Sequence, residues 1–146
     1  MKIDYQNILK KNMINVFKDV LKNIEKNGLS EGHHLYITFL TNHPKVSIPT
    51  WLKEKYPNEM TIVIQYEYYY LIVNKDNFSI ELSFNNVKAY LEICYESIIS
   101  FADPFANFGL KLINEISNHK TINKNENKKT KTKITNNVID FKTFKN

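Results

Sequence analysis

Histidine, cysteine and paired carboxylates are the side chains here that could hold a metal, attack a substrate or move a proton, and their spacing argues against all three uses. The four histidines stand at His33, His34, His43 and His119. They lack the i, i+4 helical spacing or the cysteine partners that zinc sites use, so turn or surface roles are expected of them. Cys94 is the single cysteine, set in an apolar run with no visible histidine partner. It reads as a small buried hydrophobe, and a lone thiol points to a reducing compartment. Glu92 and Glu96 form one conceivable carboxylate pair, but the alternation around Cys94 and Tyr95 turns them to solvent. Glycine occurs only at positions 28, 32 and 109, so there is no glycine-rich phosphate loop, and no Gly-x-Ser-x-Gly elbow appears. An enzyme is not expected, nor a metal or cofactor.

Tyr66, Tyr68, Tyr69 and Tyr70 crowd one β-prone run, with Tyr66, Tyr68 and Tyr70 on one face of a strand and Tyr69 on the other. Core or edge packing is the expected use. A stacking platform for single-stranded nucleic acid would need cations on the same sheet, and Glu67 is the only charge in this stretch. All twenty basic residues are lysines. Without arginine's rigid fork, specific nucleic-acid recognition is not expected, although lysines can hold polyanions non-specifically.

The lysines are unevenly placed. From Ser117 to Asn146 there are eight against two acids, whereas the preceding residues carry twelve lysines against thirteen acids. The basic character therefore belongs to the last thirty residues. These are polar up to Asn137, and then apolar residues return as Val138, Ile139, Phe141 and Phe144. A stretch of Asn, Lys and Thr buries too little apolar area to offset its ordering entropy, so disorder is expected over 117–137. The division predicted is a domain at 1–116, a linker at 117–137 and a terminal segment at 138–146. A body of this size supports one core. No stretch approaches the ~20 apolar residues of a membrane span, and no secretory signal is apparent, so cytoplasmic residence is expected.

The elements that must position these residues follow from period. Asp4 is a plausible N-cap for a helix with apolar residues at Tyr5, Ile8, Leu9, Met13, Val16, Phe17, Val20, Leu21 and Ile24, ended by Asn27-Gly28. From Leu35 the period becomes two, with Leu35, Ile37 and Phe39 alternating against Tyr36 and Thr38. Val46 to Tyr56 reads as a loop with one short helical turn. Met60 to Asn74 is the longest β signal, followed by turn residues Lys75-Asp76-Asn77 and a hairpin partner carrying Phe78, Ile80, Leu82 and Phe84. Asn85-Asn86 opens the next turn. Further strands are expected at Tyr90 to Tyr95, Ser97 to Phe101 and Phe108 to Leu112. The class predicted is α+β, mainly β: an N-terminal amphipathic helix on a small, strongly bent antiparallel sheet of five or six strands, a half-barrel with a disordered tail.

Several blocks in order carry a resemblance. Lys55-Tyr56-Pro57 leading to Glu59-Met60-Thr61-Ile62-Val63-Ile64-Gln65-Tyr66, then Leu82-Ser83-Phe84, Phe101-Ala102-Asp103-Pro104 and Phe108-Gly109-Leu110, with His33-His34 before Leu-Tyr-Ile-Thr-Phe, resemble the alphaproteobacterial branch of the SspB family. Cys94 departs from it, standing where the family tends to have proline. The resemblance implies an Sm-like β fold, a homodimer formed through the N-terminal helix, and an adaptor that carries ssrA-tagged proteins to the ClpXP protease. It also implies that Val138, Ile139, Phe141, Lys142, Phe144 and Lys145 dock on the N-terminal zinc-binding domain of ClpX. Candidate dimer residues on the helix are Val16, Phe17, Val20 and Ile24. An extended peptide needs pairing backbone, apolar pockets and a few polar groups. That requirement places the tag groove at Phe84, Asn85 and Val87, at Phe101, Ala102, Asp103 and Phe105, and at Gln65. A flexible linker over 117–137 would span about 25 Å and raise the effective concentration to roughly mM. The competing reading is an Sm-like RNA-binding protein with a basic tail.

Overall fold

The computed structural model describes residues 2–112; the predicted linker and terminal segment lie outside the described residues. The first helix, α1 (Tyr5–Asn27), begins where expected, because the Asp4 carboxylate accepts a hydrogen bond from the Asn7 N–H at 3.0 Å. It stops at Gly28, whose φ of 80° is open to glycine and whose N–H donates to the Ile24 carbonyl at 2.7 Å.

The strands that follow are β1 (Leu35–Leu40), β2 (Glu59–Ile64), β3 (Tyr68–Val73), β4 (Asn77–Phe84), β5 (Val87–Cys94), β6 (Ile98–Asp103) and β7 (Phe108–Lys111). A short helix, α2 (Thr50–Lys55), lies between β1 and β2. All pairings are antiparallel, in a four-stranded sheet ordered β2-β1-β6-β7 and a three-stranded sheet ordered β3-β4-β5. The α+β, mainly β architecture is the expected one, with seven strands in two sheets among the described residues in place of five or six in one.

The main correction concerns Met60 to Asn74, expected as one strand. Residues 65–67 form a bend, so the run is divided between β2 in the first sheet and β3 in the second. Its β propensity is continuous, but propensity records only a fit to pleated surface and does not say which sheet supplies it. A second irregularity falls between Tyr69 and Ile72, where the register to β4 shifts and Tyr70 takes a φ of 55°. The tyrosines consequently do not line one face: Tyr66 and Tyr70 are largely exposed and Tyr68 is half-buried.

Residues from both sheets meet over α1. Phe17, fully buried, touches Phe78 of β4 with ring centroids 5.8 Å apart, Phe101 of β6 at 5.0 Å and Tyr95 at 6.2 Å. Leu21 and Ile24 continue this buried stripe, whereas Tyr5, Ile8 and Leu9 are each more than half exposed. The helix thus spends only its second half on its own domain. Tyr36 and Thr38, which alternate with the apolar residues of β1, are buried as well, and the Thr38 and Thr61 hydroxyls hydrogen-bond across β1 and β2 at 2.7 Å. No helix among the described residues is long and apolar enough to cross a membrane.

Candidate functional site

The loop of residues 28–34 joins α1 to β1. Its turn closes when the His33 N–H donates to the Ser30 carbonyl at 3.1 Å, and Gly32 supplies the φ of 90° that the third position of such a turn needs. There is a second reason for glycine at position 32: a Cβ there would come within 3.2 Å of the Phe105 ring. Glycine thus leaves room for Phe105, which is 67 % exposed and makes an edge-to-face contact with His33, ring centroids 4.7 Å apart. On the other side, His33 Nδ1 lies 2.6 Å from Asp103 Oδ2. Asp103 is held in turn, because its Oδ1 accepts the Ala106 N–H at 3.3 Å and caps the 3-10 turn at Pro104–Ala106.

Two cavities flank this loop and share Leu29, Ser30 and His33. One, of about 300 Å³, opens between the end of α1 and the β6–β7 hairpin, with Ile24, Leu35, Phe101 and Phe108 in its wall and Asp103 at its edge. The other, of about 500 Å³, is lined by Ser30, Glu31, Gln65, Tyr66 and Tyr68. A strongly apolar slot and one with more hydrogen-bonding groups in its lining therefore stand side by side, with His33 in the wall of both. That pairing of apolar walls with a few directed polar groups suits a ligand with both kinds of surface.

Of the residues predicted for the groove, Gln65, Phe101 and Asp103 line these cavities, and Phe105 packs on the shared wall. Ala102 is half-buried within β6, paired with Tyr36 and Gly109. Phe84, Asn85 and Val87 lie apart at the tip of the β4–β5 hairpin, where Phe84 meets Trp51 at 6.3 Å. They line neither cavity. Sequence reasoning passed over Ser30, Gly32 and His33 because the loop read as a turn with surface histidines. The signal that could have found them is the pair of glycines, Gly28 and Gly32, bracketing a three-residue segment just before a β-prone, mostly apolar strand.

The helix residues need a correction. Phe17 and Ile24, proposed for a dimer interface, are occupied by the domain's own core, while Val16 is exposed and Val20 half-buried. Val138, Ile139, Phe141, Lys142, Phe144 and Lys145 lie outside the described residues. Among the described residues, no group of three or more histidine, cysteine or acidic side chains is placed to hold a metal ion.

The fold is a small β module capped by one helix, with two adjoining cavities at the 28–34 loop. The family model for stringent starvation protein B matches residues 7–143, and the chain belongs to that family. Membership makes it an adaptor of that general type, in a family tied to proteolysis and not to catalysis. No curated protein sequence matches the chain.

Proposed function

We propose that this protein binds ssrA-type degradation tags in the two cavities around the 28–34 loop and delivers tagged proteins to the ClpXP protease through its terminal segment. The observation that carries the proposal is the reach of the family match, which runs past the β domain and through Thr143, taking in Val138, Ile139 and Phe141. A shared ancestry that extends into an apolar terminus, beyond a lysine-rich stretch, supports a conserved use for both ends. Val138, Ile139, Phe141 and Phe144 would supply the anchors on ClpX, with Lys142 and Lys145 steering the encounter.

The physical gain is concentration. Holding tag and unfoldase on one chain turns a bimolecular encounter into an intramolecular one, at up to roughly mM effective concentration, so each grip can stay weak and reversible. The exposed first half of α1 supports pairing of two copies, which would present two terminal segments.

Degradation of an ssrA-tagged reporter by purified ClpXP tests the proposal, comparing the full chain with one lacking residues 138–146. The full chain is expected to accelerate degradation, and the truncated chain to bind tag peptide equally well without any acceleration. Acceleration that survives the truncation would overturn the tethering. If the full chain instead bound RNA with steep salt dependence and had no affinity for the tag, the adaptor reading would give way to the RNA-binding one.

A further inference from the structure

Resting on the tag-binding reading, we infer that His33 is the residue that reads the bound peptide, offering Nε2 as a hydrogen-bond acceptor to a peptide N–H, and that Asp103 is its positioning residue. A carboxylate oxygen accepts and does not donate, so the ring nitrogen 2.6 Å from Asp103 carries the proton. In the neutral ring this leaves the Nε2 lone pair free to accept. Among the described residues Nε2 has no hydrogen-bond partner, although the side chain is only 30 % exposed.

Nothing inside the domain uses the atom that this arrangement presents. The ring is nevertheless engaged at two points: Asp103 holds Nδ1, and Phe105 makes an edge-to-face contact with it beside a glycine that leaves room for the approach. A surface histidine with no ligand has no need of such support. Ordering of this kind lowers the cost of binding, because the acceptor no longer has to be immobilised when the peptide arrives.

His33 belongs to the wall of both cavities. Successive side chains of an extended peptide point to opposite sides. A peptide crossing the ring would set an aliphatic side chain among Leu35, Phe101 and Phe108, and a hydrogen-bonding side chain beside Ser30 and Gln65. Its backbone would pass over Nε2 between them. The ligand class implied is an extended segment in which an aliphatic residue adjoins a polar one.

Binding of a fluorescent ssrA-tag peptide to the full-length chain, followed by anisotropy, tests this with His33→Phe, His33→Gln and Asp103→Asn. His33→Phe is expected to weaken binding about tenfold, the equivalent of one hydrogen bond of about 1.4 kcal/mol. Asp103→Asn should weaken it similarly, since an amide can donate to Nδ1 and reverse the tautomer. His33→Gln, which keeps an acceptor at similar reach, should recover most of the loss. In the wild-type chain with ¹⁵N-labelled imidazoles, the His33 Nε2 resonance should move on peptide addition while those of His43 and His119 do not. Saturable wild-type binding with an unchanged affinity for His33→Phe would overturn the role of His33 and leave tag binding standing, as would an unmoved Nε2 resonance. Absence of wild-type binding would overturn both.

Discussion

The sulfur of Cys94 lies 3.4 Å from Nδ1 and 4.0 Å from Nε2 of His43, a histidine partner that the sequence did not reveal. The contact arises because Ser47 bridges to Glu92 and draws the segment after β1 onto β5. Its geometry is not that of a catalytic dyad. The sulfur is nearly equidistant from the two nitrogens and so lies off the in-plane lone pair of either, and Nδ1 already accepts the Lys45 N–H at 3.1 Å. With Cys94 only 4 % exposed, this is packing. The thiol should therefore react slowly with an aromatic disulfide reagent in the native protein and rapidly in denaturant, and Cys94→Ala should cost about 1 kcal/mol by urea titration. Fast native reaction would show an activated thiol.

Phe17 joins the helix to both sheets, so its removal should be felt throughout the domain. Phe17→Ala is expected to lower unfolding free energy by about 3–5 kcal/mol. Tyr5→Ala, on the same helix but 72 % exposed, should change it by less than about 0.5 kcal/mol. Comparable losses would mean that the first turns of α1 are covered in solution.

A second copy would provide such a cover. Ile8 and Leu9 are 51 % and 56 % exposed and continue toward Val16 along α1. Sedimentation equilibrium is expected to give a dimer for the wild-type chain and a monomer for an Ile8→Asp, Leu9→Asp double variant with an unchanged circular dichroism spectrum. A wild-type monomer, or a variant dimer, would remove α1 from the interface.

Tyr95 gives the domain an alkaline limit. Burial, aided by the negative charges of Glu25 and Asp76, pushes its phenol up to about 12, and the hydroxyl donates to the Asn74 carbonyl at 2.7 Å. Because the folded value lies above the unfolded one near 10, folding favours the neutral phenol. The stabilisation is complete below pH ~10 and is lost as pH rises toward 12, an effect on the order of 2–3 kcal/mol. Absorbance titration of phenolate should show one late-ionising tyrosine that is absent from Tyr95→Phe, whose stability should fall less steeply above pH 10.

Asn85 and Asn86 connect β4 to β5 as a two-residue loop, with φ values of 53° and 68°. Positive φ at both central residues is the requirement of a type I′ turn, and Asn-Gly meets it best. Asn86→Gly should raise the urea midpoint by the equivalent of about 0.5 kcal/mol, and Asn86→Val should lower it by more than that. If both substitutions proved neutral, the hairpin would not depend on its turn.

The local parts of this protein were legible in its residues. Asp4 and Gly28 bound the helix, Asn85-Asn86 turn the hairpin, and Phe78, Ile80 and Leu82 mark the inner face of β4, because each depends on groups a few positions away. Gln65, Phe101, Asp103 and Phe105, proposed from their place at strand ends and breaks, do come to lie at or beside the two cavities. Tertiary structure alone decided that the run from Met60 to Asn74 divides between two sheets, and that half of the helical stripe stays outside the core. It alone brought His33 to Asp103, seventy positions on in the sequence, and set the residue so held in the wall of two cavities. Hydrophobic period states which side of an element is apolar, whereas the choice of neighbour rests on pairings between distant strands that no short window of sequence contains.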